Sequence, residues 1–161
     1  MSRGGPPVRV AAAVLRDAAG RVLIAQRPAG KHMAGYWEFP GGKLLPHERP
    51  EQALARELAE ELGVRIGPCR ELLQLRHDYP DRTVQLHVFL VQGFEGEARA
   101  LEGQALRWVA PAALAQEALL PADRPIVEAL VATLAMERDP RDRYEVEAHD
   151  RGSWTAGHPA G

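Results

Sequence analysis

The chain has 161 residues, 45% of them hydrophobic, which is enough for one domain with a buried core. A formal net charge of −2 supplies no basic patch of the kind polymeric nucleic acid requires, and that partner is excluded. A lone cysteine, Cys69, forms no internal disulfide, the start MSRGGPPVRV lacks the apolar stretch of a signal peptide, and no window approaches the ~18 apolar residues of a membrane span, so a soluble cytoplasmic protein with no membrane partner is expected.

Residues 1–7 are small, polar and Gly/Pro-rich and read as a loose arm. Residues 8–15 and 21–26 are apolar runs around the turn Asp-Ala-Ala-Gly, a pattern that predicts a β-hairpin. A loop follows over 28–35, then a short aromatic strand over 36–39, stopped by Pro40-Gly41-Gly42. Pro50 suits the first position of a helix and Gly63 the residue after its end, while Leu54, Leu58 and Leu62 recur every four residues and give it a core-facing stripe. Strands are expected over 70–77, 83–92 and 103–109, a short helix over 111–115 and an amphipathic helix over 125–136. From residue 137 the chain turns charged and then Gly/Pro-rich, which reads as a disordered tail. His149, Asp150 and His158 in it match no metal-ligand spacing. The mixed order of elements gives an α/β (α+β) layered domain spanning residues 8–136.

The central helix carries Glu57, Glu60 and Glu61 at i, i+3, i+4, on one face beside the leucine stripe, with Glu48 just before it. Two readings fit that segment. A solvated acidic face costs only a few tenths of a kcal/mol in repulsion. A hard-cation site uses the same carboxylates, because Mg²⁺ takes oxygen ligands and shares them with substrate phosphates. The helix alone does not choose between them.

Its surroundings do. Gly42, Glu48 and the run Arg56-Glu57-Leu58-Ala59-Glu60-Glu61-Leu62-Gly63-Val64 match the Nudix box position for position. Segments on either side, AQRPAGKHMAGYWEFPGGK, DYPDRTVQLHVFLV and LLPADRPIVEAL among them, resemble the MutT-like branch, the 8-oxo-dGTP diphosphatase type, over roughly residues 8–134. The resemblance implies the Nudix α/β/α sandwich, a mixed β-sheet between helices. It also implies a Mg²⁺-dependent enzyme, with Mn²⁺ a possible substitute. The substrate it implies is a nucleoside triphosphate, cleaved to a monophosphate and pyrophosphate by water at the β-phosphorus. The oligomeric state is not legible.

By the same resemblance, Glu57 is general base and metal ligand, Glu61 and Glu60 complete the ligand set, and the Gly41 carbonyl is a further ligand. Arg56 orients Glu57. Glu48 is structural or favours the positive end of the helix. Glu102 is a distal metal ligand or second base. Arg27 and Lys43 meet phosphate, and His32 lies near the entrance.

The base pocket implied by the resemblance comprises Val8, Val10, Phe39, Tyr79 and Asp123, while Val84, at a further matching position, reads as core. Asp123 departs from MutT proper, which has asparagine there. An amide both gives and accepts a hydrogen bond, matching O6 and the N7–H of 8-oxoguanine. An aspartate does so only when protonated, which burial favours. An ionised one accepts from an exocyclic amine, as on cytosine, and a related branch of CTP and modified-dCTP pyrophosphohydrolases shares the PAD-x-P context. The expected substrate is therefore 8-oxo-dGTP, with a pyrimidine nucleotide as the alternative. A Nudix module that binds nucleotide without hydrolysis is the remote third reading, and the complete set of box acids argues against it.

Overall fold

Small side chains leave room for neighbours on both faces of the first strand. It runs over Val8–Leu15 (β1) as VRVAAAVL, and its residues alternate between two cores. In a computed structural model describing residues 5–138, Ala11, Ala13 and Leu15 face a helix over Pro50–Leu62 (α1). Ala12 and Val14 face the side covered by a helix over Arg124–Arg138 (α2). The tail residues 139–161, with His149, Asp150 and His158, lie outside the described residues, as do residues 1–4 of the arm.

A mixed sheet forms around β1. Its strands are Gly41–Lys43 (β4), Cys69–Asp78 (β6) and Thr83–Val91 (β7), in the order β4-β1-β7-β6. β1 and β7 are parallel and the other pairs antiparallel. α1 and α2 cover opposite faces, so the α/β/α layering implied by the resemblance is present. β7 accordingly buries both its faces, including His87 and Phe89. A second, antiparallel sheet holds Val22–Gln26 (β2) between Trp37–Glu38 (β3) and Leu106–Val109 (β9). Arg65–Ile66 (β5) and Phe94–Glu95 (β8) make a short ribbon.

The expected hairpin between the first two strands is not formed. Both edges of β1 are taken by β4 and β7, so after one bridge, Arg16 to Val22, the chain splays into the other sheet. The Asp17 turn survives, with the Asp17 amide bonded to the Arg21 carbonyl at 2.9 Å. The Gly-Gly pair expected to stop a strand starts one instead. A Cβ at Gly41 would overlap the Ala11 carbonyl, so only glycine lies this close to β1.

α1 begins and ends where its sequence predicts. Pro50 opens it, the Gln52 side chain accepts from the Arg49 amide, and Gly63 closes it at φ 70° with its N–H on the Ala59 carbonyl. Leu54, Leu58 and Leu62 are fully buried. Their burial fixes the rotation of the helix and thereby the direction of its acids. α2 runs two residues beyond the expected end of the domain, to Arg138.

Candidate active site

The junction of α1 with β4 is organised by one guanidinium. Arg56 grips Glu48 with two hydrogen bonds, Nε to Oε2 and Nη2 to Oε1, each 2.9 Å. Nη1 reaches Glu57 at 2.9 Å, and Nη2 also meets the Lys43 carbonyl at 3.0 Å. The contact to Glu60 is looser, 3.5 Å, and the Glu60 side chain is 57% exposed. Glu48 is thus an anchor for Arg56, and its other partner, the Leu45 amide at 2.8 Å, ties the preceding loop to the helix. The hydrogen bonds from Arg56 and from Leu45 hold the Glu48 carboxyl down at about 2. Glu57 in turn lies against Gly42, where any Cβ would overlap its carboxylate.

Glu61 faces the neighbouring cleft, a cavity of about 250 Å³ lined also by Gln26, Lys31, Glu38, Gly41, Glu102 and Gln104. Burial, and then the charges of Glu57 and Glu102, push its carboxyl up to about 8, against a hydrogen bond from the Gly41 amide. Glu102 arrives from a loop stitched to the end of α1. The Leu101 amide bonds the Glu61 carbonyl at 3.1 Å, and the Gln104 side chain bonds it at 3.3 Å.

The structure therefore brings Gly41, Glu61 and Glu102 together in one cleft, sets Glu57 beside it against Gly42 and close enough for its charge to act on Glu61, and leaves Glu60 exposed. Among the described residues, no three acid, histidine or cysteine side chains are close enough to cage an ion by themselves. The donors nevertheless suit a hard divalent cation. They are all oxygens, few in number, and crowded enough that Glu61 resists ionisation, a combination that leaves ligand positions for phosphate.

Arg27 lies between Gln26 and Pro28, which line the cleft, and is already engaged. Nη1 pairs with Glu38 at 3.1 Å and Nε with the His32 carbonyl at 2.7 Å. Lys43 lends Arg56 its carbonyl, and its side chain is exposed. Lys31, in the loop after β2, lines the cleft, and Glu38 adds a carboxylate to it; neither was singled out from the sequence. Alternation along a two-residue strand beside buried Trp37 and Phe39 was the available signal for Glu38.

On the α2 side, Asp123 is buried, 7% exposed, and accepts from the Phe39 amide at 3.4 Å across 84 residues of sequence. Burial, and then the charge of Glu38, push its carboxyl up to about 7. Val8 pairs in register with Val84, and Val10 packs against the core that holds Phe39. Tyr79 sits at the β6–β7 turn, edge-on to His77 at 4.4 Å and to His32 at 6.1 Å between ring centres. This contact joins the loop after β2 to the turn.

These features define a Nudix domain, and the chain belongs to that family, whose description matches residues 11–129. It is similar to an 8-oxo-dGTP diphosphatase of Proteus vulgaris, 48% identical over 60% of this chain and 86% of that protein. It is also similar to the CTP pyrophosphohydrolase of Escherichia coli K12, 44% identical over 78% of this chain and 92% of the other. A crystal structure of a MutT Nudix hydrolase from Burkholderia pseudomallei superposes with a TM-score of 0.70 at 31% identity, covering 78% of this chain and 98% of that one. No helix among the described residues is long and apolar enough to cross a membrane.

Proposed function

We propose that the chain is a Mg²⁺-dependent nucleoside triphosphate pyrophosphohydrolase that converts 8-oxo-dGTP to 8-oxo-dGMP and pyrophosphate, clearing an oxidised precursor from the cytoplasmic pool. The observation that carries the reading is the Arg56 fork. It fixes Glu57 against Gly42 and beside a cleft that already holds Glu61 and Glu102. The likeness to named 8-oxo-dGTP diphosphatases supports the substrate.

Glu57, Glu61, Glu102 and the Gly41 carbonyl would hold the cation, with Glu60 contributing from the rim. When bound, the cation would neutralise phosphate charge and acidify water. Glu57 accepts the proton of the attacking water, and Arg56 keeps its carboxylate aimed. Water adds to the β-phosphorus and the nucleoside monophosphate leaves. Arg27, Lys31 and Lys43 draw the triphosphate in. Val8, Val10, Phe39 and Tyr79 enclose the base, and Asp123 reads its edge. Protonated, Asp123 gives to O6 and accepts from N7–H, while unoxidised guanine offers two acceptors and is refused.

A second reading has its own support. Ionised, Asp123 only accepts and suits the amine of cytosine, and the E. coli relative named CTP pyrophosphohydrolase covers most of the chain. The test is a kcat/KM panel over 8-oxo-dGTP, dGTP, CTP and 5-methyl-dCTP. A preference for 8-oxo-dGTP over dGTP below about tenfold, or ~1.4 kcal/mol, overturns the first reading. Glu57→Gln is expected to abolish turnover with nucleotide binding retained, and undiminished turnover removes Glu57 from the mechanism.

A further inference from the structure

The cleft contains a carboxylate that neither the box nor the base contact calls for. Glu38 lies on β3 one residue before Phe39, whose amide is the hydrogen-bond partner of Asp123. Its two oxygens are 3.1 and 3.4 Å from Arg27 Nη1, and its side chain is 30% exposed. It also lines the cavity shared by Glu61 and Glu102. Glu38 therefore borders both the cleft that holds Glu61 and Glu102 and the backbone amide that bonds Asp123.

We propose that Glu38 is a specificity-determining residue: its negative charge, secured by Arg27 and placed beside the Phe39–Asp123 contact, fixes Asp123 as a hydrogen-bond donor toward the base. The inference rests on Asp123 meeting the base as described above. Two carboxyl groups in one partly dry site do not both ionise readily, and their surroundings decide which one keeps the proton. Burial raises the Glu38 carboxyl, and the Arg27 guanidinium and, further off, Lys31 work against that rise. Asp123 has a single long bond from an amide and deeper burial. The charged groups facing Asp123 are Glu38 from β3 and Arg27 from the end of β2. Arg124, its neighbour in the chain, turns away to the Ala115 and Glu117 carbonyls. The asymmetry leaves the charge on Glu38 and the proton on Asp123, and a neutral carboxyl is the form that matches 8-oxoguanine. Glu38 touches neither the base nor the reacting atoms in this scheme. It acts through Asp123.

The experiment is a ¹³C NMR titration of the Asp123 carboxyl in the wild type and in Glu38→Gln, which keeps the shape and removes the charge. Asp123→Asn assigns the resonance, and spectral dispersion reports folding. Alongside it, the kcat/KM ratio of 8-oxo-dGTP to dGTP is measured against pH. Loss of the neighbouring charge is expected to lower the Asp123 midpoint by about one pH unit. The pH at which discrimination fades falls with it, and at neutral pH the ratio drops about fivefold. An Asp123 midpoint that stays put in Glu38→Gln overturns the coupling. A midpoint that moves while discrimination stays flat with pH overturns the base contact of Asp123, and the role of Glu38 with it.

Discussion

Replacing Asp123 by asparagine changes one property of a buried group, its capacity to ionise, while keeping its shape and its bond from the Phe39 amide. The folded protein holds this carboxyl at about 7, against 3.8 for the ordinary side chain. Between those values the folded chain keeps a proton that the unfolded chain has released. The contribution to stability is therefore fully present below pH 3.8 and is lost as pH rises through 7. Some three pH units at about 1.4 kcal/mol each make a loss of about 4 kcal/mol by pH 8. Asp123→Asn carries no such loss. Its advantage over the parent grows from about 0.5 kcal/mol at pH 4, through about 1.5 kcal/mol at pH 5, to about 4 kcal/mol at pH 8. Urea titrations followed by tryptophan fluorescence measure it, since Trp37 is buried in the same core as Phe39, whose amide bonds Asp123. Titrating groups not coupled to Asp123 cancel in the difference between the two proteins. A ΔΔG equal at pH 5 and pH 8 within about 0.5 kcal/mol refutes the reasoning, because a group ionised in both states has no pH-dependent advantage to lose.

Gly42→Ala drives a Cβ into the Glu57 carboxylate on a strand whose position is set by pairing with Ala11. A displacement of about 1 Å is expected to lower kcat/KM roughly 100-fold with little change in melting temperature, and turnover at the parental rate contradicts the placement of Glu57. Arg56→Lys keeps the charge but cannot reach Glu48, Glu57 and the Lys43 carbonyl together. Steady-state kinetics should show kcat falling on the order of tenfold or more with KM nearly constant, and a change confined to KM argues against an orienting role. Glu61, held at about 8 by burial and then by Glu57 and Glu102, carries a proton in the metal-free protein at neutral pH. Mg²⁺ binding should release up to about one proton, read by calorimetry in buffers of different ionisation enthalpy, and should tighten as pH rises toward 8. Heats independent of buffer exclude Glu61 as a ligand.

What the sequence made legible was local. The limits of α1 follow from Pro50, Gly63 and the leucine period, which depend on neighbours within a few turns. β1 and β2 each carry their own apolar pattern and were found, but their partners were not. Nothing within residues 8–26 says that β4 and β7, from later in the chain, will occupy both edges of β1. β4 escaped notice because Gly-Gly is a poor strand sequence in isolation, and its pairing is enforced by close approach to Ala11. Among the site residues, those inside the box were legible because the motif has fixed spacing. Glu38 and Lys31 were not, since their significance arises from where Arg27, Glu61 and Asp123 stand after folding.

The spacing of the box itself has a physical account in these contacts. β4 must end soon after Gly42 so that the loop can turn back, with His47 at φ 66°, and bring Glu48 to Arg56. Glu48 holds the Leu45 amide at one side and the guanidinium at the other, so the loop closes as a ring on the helix. Arg56 then clasps the Lys43 carbonyl, which presses α1 onto β4 and brings Glu57 to rest on Gly42. The buried leucines at 54, 58 and 62 allow the helix one rotation. In that rotation Glu61 lines the cleft, Glu57 rests on Gly42 beside it, and Glu60, three residues from Glu57 and one from Glu61, is turned to solvent. Three glutamates that look equivalent on a helical wheel are thereby made unequal. Glu57 and Glu61 repel each other across that junction, and Arg56, bonded to Glu57, supplies the only guanidinium contact to that pair among the described residues.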